Sequence, residues 1–168
     1  MSTSDGDRRR SFRSVEQAAA VALLQTTDAL QRRLTRVIEP FGITLQQFNV
    51  LRILRGAGPD GLATLTVANR MVERTPGVTR LLDRLEAEGL VERVRDAEDR
   101  RRVVARITPQ GRSLLGRVDD TFEDAEDGAF AGLAEAEIEQ LNRYLGRVRV
   151  HLEAIETSGD RSQTSHSN

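Results

Sequence analysis

Cysteine, tryptophan and lysine are all absent from this 168-residue chain. Without cysteine there is no disulfide, no thiolate nucleophile, no thiol redox sensor and no cysteine zinc site. Without lysine there is no Schiff-base chemistry and no phosphate-gripping P-loop lysine. Only two histidines occur, His151 and His166, which is poor material for a metal centre or an acid–base pair. No segment approaches the ~18 consecutive apolar residues of a membrane span. The charged N-terminus has no apolar stretch behind it of the kind a secretory signal needs, so a cytoplasmic protein without membrane association is expected.

What is present is a globular composition, 38% hydrophobic and 30% charged, on a chain long enough for one domain with a buried core. All 25 basic residues are arginine, against 26 acids. The net charge of −1 conceals a gradient. Residues 1–69 carry nine arginines and six acids, residues 70–106 ten and eight, and residues 107–168 six and twelve. A basic front and an acidic back suit a protein that turns one face to a polyanion, although uneven surface charge alone has the same signature.

Both ends read as polar tails, residues 1–13 and 157–168. Ser14 and Gln17 have capping-box spacing, and Leu23, Leu30, Leu34, Val37 and Phe41 follow as one helical stripe. Pro40 and Gly42 end that helix. Thr44 and Gln47 make a second capping box, before a helix whose apolar face is Leu45, Phe48, Leu51 and Leu54. Gly56, Gly58 and Gly61 spell the G-x-G-x-x-G of a dinucleotide site. That motif must follow a strand and open a helix, whereas here a helix precedes it and Pro59 interrupts it, so it reads as a turn. A very short strand at 62–64 and a short helix at about 65–72 come next.

Thr75 before Pro76 reads as an N-cap followed by proline at the first helical position, opening a helix over 76–88 that Gly89 stops. Val78, Leu81, Leu82 and Leu85 face inward, while Thr79, Arg80, Asp83 and Arg84 face outward. The pattern then changes to period two across Val91–Arg95 and again across Arg102–Ile107, a hairpin with a charged tip at 96–101. Thr108 and Pro109 repeat the Thr-Pro helix start, for a helix to about Gly128. The last helix, about 134–156, places Ile138, Leu141, Leu145, Val148, Leu152 and Ile155 at alternating spacings of three and four. That seam packs either on the first helix of its own subunit or, as favoured here, in a dimer interface. The acidic run from Asp119 to Asp127 lacks the glycine and spacing of a calcium loop and reads as a solvated helix end, so no metal and no cofactor is expected.

Two helices, an outward-polar third and a basic-tipped hairpin describe a winged helix-turn-helix. The fold class expected is mainly α with a small β-wing. An α-helix fits the major groove of B-DNA, and side chains near its N-terminus reach base edges. Arg80 and Arg84 can fork onto guanine or grip phosphate, and Thr79 offers a methyl and a hydroxyl. Arg84 can instead pair along its own helix with Glu88. Asp83 repels phosphate unless paired, for which Arg80 and Arg84 are the partners at hand. Arg100 and Arg101 on the wing can enter a minor groove.

Residues 73–111, ERTPGVTRLLDRLEAEGLVERVRDAEDRRRVVARITPQG, resemble the recognition helix and wing of the MarR family. The family's Asp-x-Arg wing pattern stands as Asp99-Arg100-Arg101, and its Leu-Thr-x-x-Gly as Ile107-Thr108-Pro109-Gln110-Gly111. The resemblance is strong over roughly 44–115 and weaker outside. Ala97, where the family often has proline, departs from the pattern and loosens the turn slightly. The resemblance implies a homodimer with interlocked terminal helices that binds pseudo-palindromic double-stranded DNA, usually as a repressor. It also implies release by a small aromatic or phenolic effector. Carried over, the DNA-binding residues are Thr75, Pro76, Gly77, Thr79, Arg80, Arg84, Asp99, Arg100 and Arg101, with Asp99 orienting Arg101.

The organisation expected is a tail over 1–13, a dimerisation helix within 14–43, the winged lobe over 44–108, dimerisation helices over 109–156 and a tail over 157–168. A winged helix that binds protein instead of DNA is the alternative reading. It would show exposed apolar residues where the arginines stand. No nucleophile–base pair, phosphate loop or metal cluster supports an enzyme.

Overall fold

The computed structural model describes residues 12–71, 77–95 and 103–164, with side chains described as far as residue 157. The chain divides into two compact units, residues 1–125 and 126–168.

In the first unit the helices are α1 (Val15–Ile38), α2 (Leu45–Gly56), α3 (Thr64–Arg70), α4 (Val78–Ala87) and α5 (Pro109–Phe130), the last of which continues into the second unit. The strands are β1 (Leu62–Ala63), β2 (Val91–Arg95) and β3 (Val103–Ile107). They form one antiparallel sheet in the order β1-β3-β2, with Val91 opposite Ile107 and Leu62 opposite Ala105.

Both helices start where the spacing places their caps, but only the second makes a full capping box. The Ser14 hydroxyl accepts from the Gln17 amide, and the Gln17 side chain accepts from the Arg13 amide. Thr44 and Gln47 make the reciprocal pair, each side chain accepting from the other's amide, and Gln47 is buried at the start of α2. Ile38, Phe48, Val50, Leu51, Leu54, Val67, Leu82, Leu85, Leu115 and Val118 form the fully enclosed centre of the core. The α1 stripe holds for Leu30, Leu34, Val37 and Phe41 but not for Leu23, which is 41% exposed. Ile38, four residues past Leu34 on the same face, is fully buried beside them.

The glycine-rich segment is indeed a turn. Gly61 has φ +69 and packs so closely on β3 that a Cβ there would stand 2.5 Å from the Ala105 carbonyl oxygen. The glycine is thus explained by strand packing, not by a nucleotide. Thr108 does two tasks at the start of α5. Its hydroxyl accepts from the Gly111 amide at 3.1 Å and donates to the Gly89 carbonyl at 2.7 Å. Thr108→Ala is expected to cost about 1–2 kcal/mol, the usual worth of an N-cap. Thermal unfolding at matched protein concentration checks this; an unchanged midpoint would remove the cap assignment.

In the second unit α6 runs over Glu135–Thr164, with the Glu137 carboxylate accepting from the Ala134 amide at its start. The expected tail from residue 157 is therefore corrected as far as 164. No proline interrupts 157–164, and the Thr157 hydroxyl donates to the Glu153 carbonyl within the helix. The α6 seam is half-buried at Ile138, Leu141 and Leu145 but exposed at Val148, Leu152 and Ile155. No described helix is long and apolar enough to cross a membrane.

Candidate nucleic-acid interface

Helix α4 is divided into three lengthwise sectors by the 100° turn of each residue. Val78, Leu81, Leu82 and Leu85 occupy the first and are buried in the core. Thr79, Asp83 and Glu86 occupy the second, along the side that β2 approaches. Arg80 and Arg84 occupy the third and are exposed. Neither arginine makes an ion pair or hydrogen bond with its side chain among the described residues. The self-pairing of Arg84 with Glu88 is accordingly not formed. Among the described residues these two arginines thus have no partner, on a helix whose other faces are engaged.

The helix begins later than its sequence suggests. Gly77, with φ +107, is its N-cap, and Val78 is its first residue. A positive φ does not lie inside a right-handed helix, so within the described residues the helix starts at Val78. Among the described residues no side chain caps this end, which is the positive end of the helix dipole. Gly77, Thr79, Arg80 and Arg84 are thus brought onto one short helix. Thr75, Pro76, Asp99, Arg100 and Arg101 lie outside the described residues. The far end of α4 is closed by Gly89 and Leu90, whose amides donate to the Glu86 and Leu85 carbonyls, and the chain turns directly into β2.

Asp83 is paired, but not with Arg80 or Arg84. Its partner is Arg93 on β2, Nη1 to Oδ1 at 2.6 Å. The same guanidinium meets Glu86 at 2.9 Å and donates to the Thr79 carbonyl at 3.3 Å, while the Arg93 amide donates to Glu86 at 3.2 Å. Sequence reasoning missed Arg93. The available signal was its place three residues past the closing Leu90, on a strand that must run back along α4.

Behind the lobe, α5 is tied to α2 and α1. Phe48 and Phe122 stack with ring centroids 4.5 Å apart, and Arg52 lies over both rings. Arg55 pairs with Asp119, and Arg33 donates to the Ala125 carbonyl. Asp119, from the acidic run, is thereby a structural partner. Among the described residues no cluster of three metal-ligating side chains occurs. A cleft of about 310 Å³ opens between the α1–α2 turn and the first turns of α5, lined by Phe41, Ile43, Leu90, Gln110, Leu114 and Arg117 among others.

The comparisons with known proteins agree with this geometry. The MarR family pattern matches residues 43–103, which run from just before α2 to the first residue of β3. The transcriptional regulator PecS of Dickeya dadantii is 29% identical over 140 residues, covering 82% of this chain and 84% of PecS. A MarR transcription factor from Planctomyces limnophilus, solved as a crystal structure, is 34% identical, with 81% of this chain and 98% of that one covered at a TM-score of 0.62. MepR of S. aureus, solved in complex with DNA, is 26% identical, with 79% and 96% covered at a TM-score of 0.71. With its winged lobe, its exposed arginine stripe and relatives of this similarity, the chain belongs to the MarR family of DNA-binding transcriptional regulators.

Proposed function

We propose that the chain acts in the cytoplasm as a homodimer that represses transcription from a pseudo-palindromic operator. The observation that carries this reading is the exposure of Arg80 and Arg84 on the outward sector of α4, where neither has an ion pair among the described residues. Two such helices reach successive major grooves when they stand about 34 Å apart on one face of the duplex. A dimer also supplies cover for the apolar residues that α1 and α6 leave exposed, among them Leu24, Val148, Leu152 and Ile155. In this reading residues 14–43 and 109–156 dimerise and 44–108 bind DNA. Thr75, Pro76 and Gly77 present the helix start to phosphate, and Asp99 orients Arg101 in the wing beside Arg100.

For a small aromatic or phenolic effector the cleft at the start of α5 is the candidate site, where Phe41, Leu90 and Leu114 offer an apolar wall and Glu88, Gln110 and Arg117 polar groups. Such a ligand releases DNA to the extent that it prefers the lobe spacing that DNA does not.

In vitro selection from a randomised DNA pool tests the reading. Enrichment of an inverted repeat, bound by two chains in sedimentation, is expected. Failure to enrich any sequence would contradict it. Arg101→Ala is expected to weaken binding and to make the dependence of log affinity on log salt shallower by about one contact per subunit. Unchanged affinity and slope in anisotropy titrations would remove Arg101 from the interface.

A further inference from the structure

The charge balance of α4 is the starting point. Between Val78 and Ala87 the helix carries Arg80 and Arg84 against Asp83 and Glu86, which sum to zero. A helix with no net charge gains little from the field of a phosphate backbone. Its two acids lie one sector away from the arginines, near enough to meet the same duplex.

We propose that Arg93 is a positioning residue for DNA recognition, which neutralises Asp83 and fixes α4 on β2 so that the Arg80–Arg84 stripe meets DNA with net positive charge. The inference rests on the DNA-binding reading above. Three features support it. Arg93 is bound at three points along one sector of α4: the Thr79 carbonyl, the Asp83 carboxylate and the Glu86 carboxylate. Its side chain is only 24% exposed, against 52% for Asp83, so the guanidinium is the enclosed member that the acids cover. Its own amide is held by Glu86, which fastens the strand backbone to the helix as well as the side chain. The wing and the recognition helix are therefore one unit, joined through a residue that itself points at the helix and not at DNA.

The test compares Arg93→Met, Asp83→Asn and the double variant on a duplex selected by the unmodified protein. Anisotropy over a salt series is the readout, with thermal unfolding of each variant alongside. Methionine keeps an unbranched apolar stem and removes the guanidinium, with its charge and its side-chain hydrogen bonds. Arg93→Met is expected to weaken binding about tenfold, because an uncompensated carboxylate then faces phosphate. Adding Asp83→Asn is expected to restore affinity to within about threefold of the starting protein. Asp83→Asn alone is expected to bind more tightly, since the helix keeps Arg93 and loses an opposing charge. That single variant keeps the proposal testable even if Arg93→Met fails to fold.

Three results would overturn it. The first is Arg93→Met binding like the unmodified protein. The second is a double variant as weak as Arg93→Met, which would make Arg93 either a direct phosphate contact or only a brace. The third is Asp83→Asn with unchanged or weaker binding. Failure of the selection itself would instead count against the proposed function, so the two are distinguishable.

Discussion

Arg80→Ala is expected to lower affinity for the selected operator by about 100-fold or more while barely changing affinity for scrambled DNA. Arg80 stands in the first turn of α4, the part of a recognition helix that reaches base edges. Its side chain is exposed and makes no ion pair or hydrogen bond among the described residues, so no intramolecular bond must be broken for it to reach a base. An arginine that forks onto guanine discriminates by about 1–3 kcal/mol, and a dimer makes the contact twice. The two copies together set the expected loss. Anisotropy titrations on the operator, on single-base operator variants and on a scrambled duplex check it. Equal loss on every sequence would make Arg80 a phosphate contact. No loss on any would remove it from the interface.

Phe48→Ala is expected to destabilise the lobe by about 3–5 kcal/mol, the usual cost of removing a buried ring. Phe48 is fully enclosed, and its ring stacks on Phe122 of α5. The truncation therefore opens a cavity and also loses the aromatic pair that joins α2 to α5. For a chain of this size the thermal midpoint is expected to fall by about 10 °C. Because a dimer's midpoint depends on concentration, the comparison must hold protein concentration fixed. A loss below about 1 kcal/mol would show that the Phe48–Phe122 contact is not central to the core.

The features legible in the sequence were those decided by neighbours within one turn of chain. Ser14 with Gln17, Thr44 with Gln47, and Thr108 before Pro109 start their helices as read, because a cap needs only residues three apart. The inward set on α4 was legible for the same reason, since Val78, Leu81, Leu82 and Leu85 repeat at helical spacing. The features not legible depend on register between elements. Arg93 meets Asp83 only because the turn at Gly89 and Leu90 lays β2 back along α4 with that side chain facing the helix. The i,i+4 neighbours of Asp83 could not show this. The described start of α4 is set by the positive φ of Gly77, a backbone feature that the Thr75-Pro76 spelling, outside the described residues, does not signal. Leu23 lies on the α1 stripe yet is exposed. A stripe gives the direction of a helix face, but not how far along the helix the core extends.

The central claim is that two α4 helices of a dimer read adjacent major grooves. Methylation interference on the selected duplex tests this most directly, because guanine N7 lies on the major-groove edge that such a helix contacts. The account predicts two clusters of interference, related by the operator dyad and centred about 10 base pairs apart on one face. The clusters are expected to fade together when Arg80 is replaced by alanine. A single cluster, or interference confined to the minor groove, would contradict it.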